Sequence, residues 1–148
     1  MSIKFIEEER RKNKKIVFTN GCFDIIHIGH IELLRFCKEN GDFLVVGINT
    51  DESIKKIKGT KRPIFPLEER KKILESIRYV DIVIPFDEET PINLIKEVRP
   101  DVLVKGGDWK ENEIVGADFV KSYGGRVLIF PYIHGRSTTK IIEKMEML

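Results

Sequence analysis

Two histidines, His27 and His30, follow the first apolar run of the chain and carry its clearest chemical signal. That run ends at Thr19, and the segment Asn20-Gly21-Cys22-Phe23-Asp24 comes next. A turn from a strand into a helix aims backbone N–H groups at one point, and the helix N-terminus favours an anion there. Gly29, between the histidines, would let phosphate oxygens approach closely. Two imidazoles could then donate hydrogen bonds to one phosphate, which suits phosphoryl or nucleotidyl transfer.

Three other interpretations of these residues are weaker. A single histidine on such a turn more often packs or caps, but two in the pattern His-x-Gly-His favour a phosphate site. A zinc site of His27, His30 and Asp24 is disfavoured because no further His or Cys follows at ligand spacing. The glycines Gly21 and Gly29 do not have the G-x-G-x-x-G spacing of a dinucleotide site.

The elements that must position these residues alternate along the chain. Short β-branched runs, apolar nearly throughout, are typical of parallel strands buried on both faces. Segments of helical periodicity lie between them. This alternation predicts a doubly wound, Rossmann-like α/β fold with a five-stranded parallel sheet and helices on both faces, which binds ligands at the carboxyl ends of its strands. The predicted strands are Ile16–Thr19, Phe43–Ile48, Asp81–Ile84, Val102–Val104 and Arg126–Ile129.

Start signals and charge runs define the remaining segments. Pro66 and Pro91 are expected at the first position of two helices, the first with a buried stripe of Ile73, Leu74 and Ile77. Residues 1–15 are predicted to form a charged arm or helix that stays solvated. The basic stretch 55–66 is expected to be a loop, and loops often carry function.

Composition limits the class of protein. The 148 residues are 41% apolar with a net charge of +2, which predicts a single domain over residues 1–148. No apolar run approaches the roughly 20 residues of a membrane span, and residues 1–15 have no apolar segment like that of a secretory signal. The two cysteines make no disulfide framework. We therefore expect a soluble, cytoplasmic protein that binds neither membranes nor, given its charge, nucleic acid in general.

Several motifs together resemble a known family. GCFDIIHIGH, residues 21–30, resembles the signature of the HxGH nucleotidyltransferase superfamily, and GRSTTK, residues 135–140, is similar to its second signature. A longer match is more specific and resembles the heptose-1-phosphate adenylyltransferase domain of ADP-heptose synthase; it includes residues 62–63, 66–70, 85–87, 90–91, 99–108 and 114–117. Glycerol-3-phosphate cytidylyltransferase is a close second resemblance, favoured by Trp109 and Lys140.

The resemblance implies transfer of AMP from ATP to a heptose 1-phosphate, giving ADP-heptose and pyrophosphate for lipopolysaccharide or other surface-glycan synthesis. Mg²⁺ is the cofactor expected with ATP. A homo-oligomer, dimer or larger, is also implied, and the length leaves no room for the sugar kinase that is often fused to this domain. The alternatives are a CTP-dependent transferase with glycerol 3-phosphate as acceptor, and a non-enzymatic nucleotide- or RNA-binding module that uses the basic stretch.

The resemblance also assigns site residues. Catalytic roles fall to His27, His30 and Lys61, and the acceptor phosphate is assigned to Lys58 and Arg62. Asp24 either orients a backbone turn or binds Mg²⁺. The residues assigned to nucleotide binding are Asn20, Gly21, Cys22, Phe23, Asp24, Gly29, Lys105, Gly106, Asp108, Arg136, Ser137 and Thr138.

Overall fold

A five-stranded parallel sheet forms the centre of the computed structural model, which describes residues 2–131 and 137–148. The strands are β1 (Ile16–Gly21), β2 (Phe43–Asn49), β3 (Ile82–Phe86), β4 (Val102–Gly106) and β5 (Arg126–Phe130). Every pair of neighbouring strands is parallel, in the order β3-β2-β1-β4-β5. The predicted fold class is therefore confirmed, and each observed strand overlaps its predicted run.

Helices cover both faces of the sheet. They are α1 (Ser2–Arg11), α2 (Ile28–Glu39), α3 (Asp51–Lys58), α4 (Leu67–Glu75), α5 (Ile92–Val98), α6 (Ala117–Ser122) and α7 (Thr138–Glu146), with a 3₁₀ turn at Glu111–Glu113. One apolar cluster joins the sheet to α1, α5 and α6, and a second joins it to α2 and α4. Within the described residues, no helix is both long and apolar enough to cross a membrane.

The strand order reverses direction at β1, where a doubly wound sheet places its ligand crevice. The register between β1 and β4 pairs only Val17 with Val102 and Phe18 with Leu103. The last residues of the two strands are therefore not paired with each other, which opens a gap at their carboxyl ends. Residues that follow β1 and β4 face this gap, so the topology directs the site residues to one place.

Four local predictions were wrong in detail. The N-terminal segment is not simply solvated, because Ile6 is fully buried and Arg10 donates a 2.6 Å hydrogen bond to the carbonyl of Val98 on α5. Lys58 ends a helix, so the predicted loop 55–66 is shortened to residues 59–66. Pro66 and Pro91 are N-cap residues, one position earlier than expected.

The buried stripe of α4 also differs from the prediction. Ile73 is 39% exposed, whereas Arg70 is fully buried beside Leu74. A guanidinium therefore occupies a position where helical periodicity alone would place an apolar side chain.

Candidate active site

A cavity of about 900 Å³ opens at the carboxyl ends of the strands. It collects most of the residues that the sequence singled out, from segments far apart in the chain. Asp24, Lys61 and Arg62 do not line it, and Arg136 lies outside the described residues. The predicted residues that line it are Asn20, Gly21, Cys22, Phe23, His27, Gly29, His30, Lys58, Lys105, Gly106, Asp108, Ser137 and Thr138.

The two histidines cap the N-terminus of α2 reciprocally. His27 is the N-cap residue, and its Nδ1 accepts the N–H of Gly29 at 3.0 Å. The Nδ1 of His30 accepts the N–H of His27 at 3.2 Å. The ring centroids lie only 3.9 Å apart. The two imidazoles thus accept two backbone N–H groups that the start of a helix would otherwise leave unpaired.

This capping fixes the tautomers of the imidazoles. Because each Nδ1 accepts a hydrogen bond, a neutral ring must carry its proton on Nε2. Burial, with the nearby His27 and Lys58, lowers the pKa of His30 to about 3. His30 is therefore neutral near pH 7, and the group it can offer to a ligand is a neutral Nε2–H donor.

Phe23 packs against the histidine pair. It is 3% exposed, and its ring centroid lies 5.2 Å from that of His30. Its backbone is left-handed, with φ of 49°, which is uncommon for a non-glycine residue and marks a constrained turn. A Cβ at Gly21 would come within 3.1 Å of the Phe23 ring, so a larger residue would press on it.

Asp24 anchors the segment that follows α3. Its carboxylate is 1% exposed and accepts hydrogen bonds from Arg62 Nε at 2.9 Å, from the Ile64 N–H at 2.8 Å and from the Phe65 N–H at 2.9 Å. Of the two roles left open by the sequence, this geometry favours the orienting one, because both oxygens are already engaged. It also directs Arg62 to Asp24.

We expect Asp24→Asn to loosen residues 59–65. An amide has one acceptor oxygen, and its NH₂ group would face backbone donors, leaving a buried N–H unpaired at a cost of about 1–3 kcal/mol. Limited trypsin digestion should therefore cleave after Lys61 faster than in the wild type. Asp42→Asn is the matched control, because its exposed carboxylate also accepts a backbone N–H, that of Lys15 at 2.8 Å. Equal cleavage rates at Lys61 in both variants would contradict the anchoring role.

Arg70 is the residue that sequence reasoning missed. Its side chain is fully buried and donates to the carbonyls of Cys22 at 2.9 Å and Asn49 at 2.7 Å. It also reaches the Phe65 carbonyl at 2.9 Å and Asp51 Oδ1 at 2.6 Å. One guanidinium thus joins the ends of β1 and β2, the start of α3 and the anchored segment. Its place on the apolar stripe of α4 is the signal that could have revealed it.

The beginning of α7 lies beside the histidine turn. Ser137 is the N-cap residue, and its Oγ accepts the N–H of Lys140 at 3.0 Å. The hydroxyl of Thr138 donates to the carbonyl of Ile25 at 3.1 Å, two residues before His27. Ser137 therefore caps α7 at a position where it also lines the cavity.

Comparisons with known proteins agree with this geometry. The cytidylyltransferase-like family model matches residues 18–144. The chain belongs to the cytidylyltransferase-like family. It is 51% identical over 140 residues to the bifunctional protein HldE of Geobacter sulfurreducens and 50% identical to that of Syntrophotalea carbinolica. Each alignment covers 95% of this chain but 29% of the relative, so the chain spans less than a third of those proteins.

Two solved structures are similar to this chain. The lipopolysaccharide core biosynthesis protein from Thermoplasma volcanium is 31% identical, with a TM-score of 0.66, over 81% of this chain and 97% of that one. Pantoate-β-alanine ligase from Francisella tularensis shares the fold, with a TM-score of 0.60 at 18% identity over 93% of this chain and 67% of that one.

Proposed function

We propose that this chain transfers AMP from ATP to a heptose 1-phosphate, giving ADP-heptose and pyrophosphate for lipopolysaccharide or another surface glycan. The observation that carries the proposal is the reciprocally capped pair His27 and His30, whose Nδ1 atoms both accept backbone N–H groups and whose rings line a large cavity. Identity of about 50% to one portion of bifunctional HldE proteins, and likeness to a lipopolysaccharide core biosynthesis protein, support the choice of substrates.

In the proposed reaction a phosphate oxygen of the sugar phosphate attacks the α-phosphorus of ATP. The bond between that phosphorus and the α–β bridging oxygen breaks, and pyrophosphate leaves. The attacking phosphate is already ionised at pH 7, so no general base and no covalent enzyme intermediate is needed. The protein has to align two polyanions and stabilise charge on the phosphates, which is work for fixed donors and cations.

We assign different residues of the chain to different phosphates of the two substrates. His27 and His30 donate to the α- and β-phosphates at the positive end of α2. Lys105 and the start of α7 hold the nucleotide on the β4 side of the cavity. Lys58, at the end of α3, lines the cavity and is our candidate for the acceptor phosphate. Lys61 is exposed outside the cavity, so its contact with substrate would require residues 59–61 to move.

Mg²⁺ is proposed to enter as part of the ATP complex. Among residues 2–131 and 137–148, no group of three His, Cys, Asp or Glu side chains could hold a metal ion by itself. Mg²⁺ commonly keeps several waters and binds through substrate phosphates, with one or two carboxylates at most. Asp108, an exposed carboxylate in the cavity wall, is the residue in the predicted set that fits such a contact.

A second candidate is a CTP-dependent transferase that acts on glycerol 3-phosphate. The specific observations in its favour are Trp109 and Lys140, both in the cavity wall and both shared with that resemblance. Dependence on a nucleoside triphosphate is also why we propose a cytoplasmic location. The homo-oligomer implied by the resemblance stays a prediction.

Pyrophosphate release distinguishes these candidates. ATP, CTP and GTP are each supplied with a heptose 1-phosphate or with glycerol 3-phosphate, in the presence of Mg²⁺. We expect the highest kcat/KM for ATP with the heptose phosphate. A preference for CTP with glycerol 3-phosphate would overturn the adenylyltransferase in favour of the second candidate. Release in none of the six mixtures would favour a binding module instead.

A further inference from the structure

Lys105 is a cation in the cavity wall without a described acidic partner. It lies one residue before the end of β4. None of the ion pairs formed by the described residues includes it. Burial lowers the pKa of its ammonium group, because the charged form loses part of its solvation. A partly buried ammonium with no carboxylate partner among the described residues can form an ion pair with a phosphate of the substrate.

The ammonium group of Lys105 lies beside an aromatic ring. The ammonium lies 5.0 Å from the ring centroid of Trp109, within the range of a cation–π interaction. The indole N–H donates to the carbonyl of Gly106 at 3.0 Å, which fixes the ring against the end of β4. Trp109 is 40% exposed and lines the cavity. It is also the single tryptophan of the chain.

We propose that Lys105 contacts the reacting phosphates and that Trp109 is a positioning residue, which holds the ammonium at the cavity wall until a polyphosphate binds. A cation–π contact is weaker than the charge-assisted hydrogen bonds of an ammonium to phosphate. The ring can therefore hold the long lysine side chain near the phosphate position, and the ammonium can exchange the ring for a phosphate when the ligand binds. This inference rests on the proposed function, since it needs a nucleotide polyphosphate in the cavity.

Inorganic pyrophosphate with Mg²⁺ is the probe for Lys105. Because Trp109 is the only tryptophan, tryptophan emission reports on the ring beside which the ammonium lies. Titration of the wild type should give a saturable emission change. In Lys105→Met, a variant of similar length, we expect that change to disappear and pyrophosphate to bind about 10-fold or more weakly. Wild-type affinity in Lys105→Met would overturn the contact with phosphate.

A double-mutant cycle tests the positioning role of Trp109, with affinities from isothermal titration calorimetry. Trp109→Leu should weaken pyrophosphate binding about 3- to 10-fold, and Trp109→Phe should restore most of it because a π-face remains. In the Lys105→Met background, Trp109→Leu should have no further effect. Additive effects would overturn the positioning role of Trp109 and assign it a direct contact with the ligand.

Two controls test whether the loss of affinity is specific to this pair. Arg78→Ala removes an exposed cation–π pair with Tyr79, outside the cavity lining, and should leave pyrophosphate affinity unchanged. Circular dichroism shows whether each variant folds.

The proposed function and the role of Trp109 can fail separately. Pyrophosphate binding requires no turnover, so a coupled cycle without catalysis would contradict the proposed function alone. Catalysis with an additive cycle would sink only the role of Trp109.

Discussion

Replacing His27 by asparagine should lower kcat for pyrophosphate release by about 10²- to 10³-fold, the cost of losing one preorganised donor at a developing anion. The folded state should lose little stability. Asparagine is among the best N-cap residues, and its Oδ1 can accept the Gly29 N–H as Nδ1 of His27 does. What it lacks is a donor at the position of Nε2. The substitution therefore separates capping from catalysis.

His27→Gln is the complementary variant. Its amide N–H can reach towards the position of Nε2, while its longer chain is poorly placed to cap. We expect kcat above that of His27→Asn but a lower Tm, measured by pyrophosphate release and thermal denaturation. A His27→Asn enzyme with near-normal kcat would show that the histidine serves only as a cap.

Arg70→Met should produce the largest loss of stability. It removes four described hydrogen bonds and leaves buried carbonyls without a donor, for which about 3–5 kcal/mol is expected. For a chain of this size that corresponds to a decrease in Tm of about 6–20 °C. Thermal denaturation followed by far-UV circular dichroism measures it.

Arg35→Met is the matched control. Arg35 also makes several hydrogen bonds, to Glu32 and Glu39, but its side chain is 50% exposed. Exposed ion pairs contribute about 0–1 kcal/mol, so its Tm should change little. Equal decreases in Tm for the two variants would contradict the view that Arg70 fixes the ends of β1 and β2.

The strands were predictable because parallel strands buried on both faces have continuous apolar sequences. The position of the two histidines at the start of a helix was predictable because it is local, but their reciprocal caps, which span two and three residues, were not predicted. The boundary of α3 was not, because Lys58 belongs to a basic stretch whose composition is equally typical of a loop.

The roles of Asp24 and Arg70 depend on contacts distant in sequence. The partners of Asp24 lie 38 to 41 residues away. Arg70 reaches residues up to 48 positions away. A pattern within one segment could mark each residue as unusual, but only the fold shows that Asp24 meets the segment after α3 and that Arg70 joins two strand ends.

Isotope labelling tests the central claim of nucleotidyl transfer most directly. A heptose 1-phosphate carrying ¹⁸O in the non-bridging positions of its phosphate is incubated with unlabelled ATP, Mg²⁺ and the protein. Attack by the sugar phosphate on the α-phosphorus predicts ADP-heptose with ¹⁸O in the oxygen between its two phosphorus atoms, seen by ³¹P NMR, and unlabelled pyrophosphate. Labelled pyrophosphate, or ADP released in its place, would contradict it.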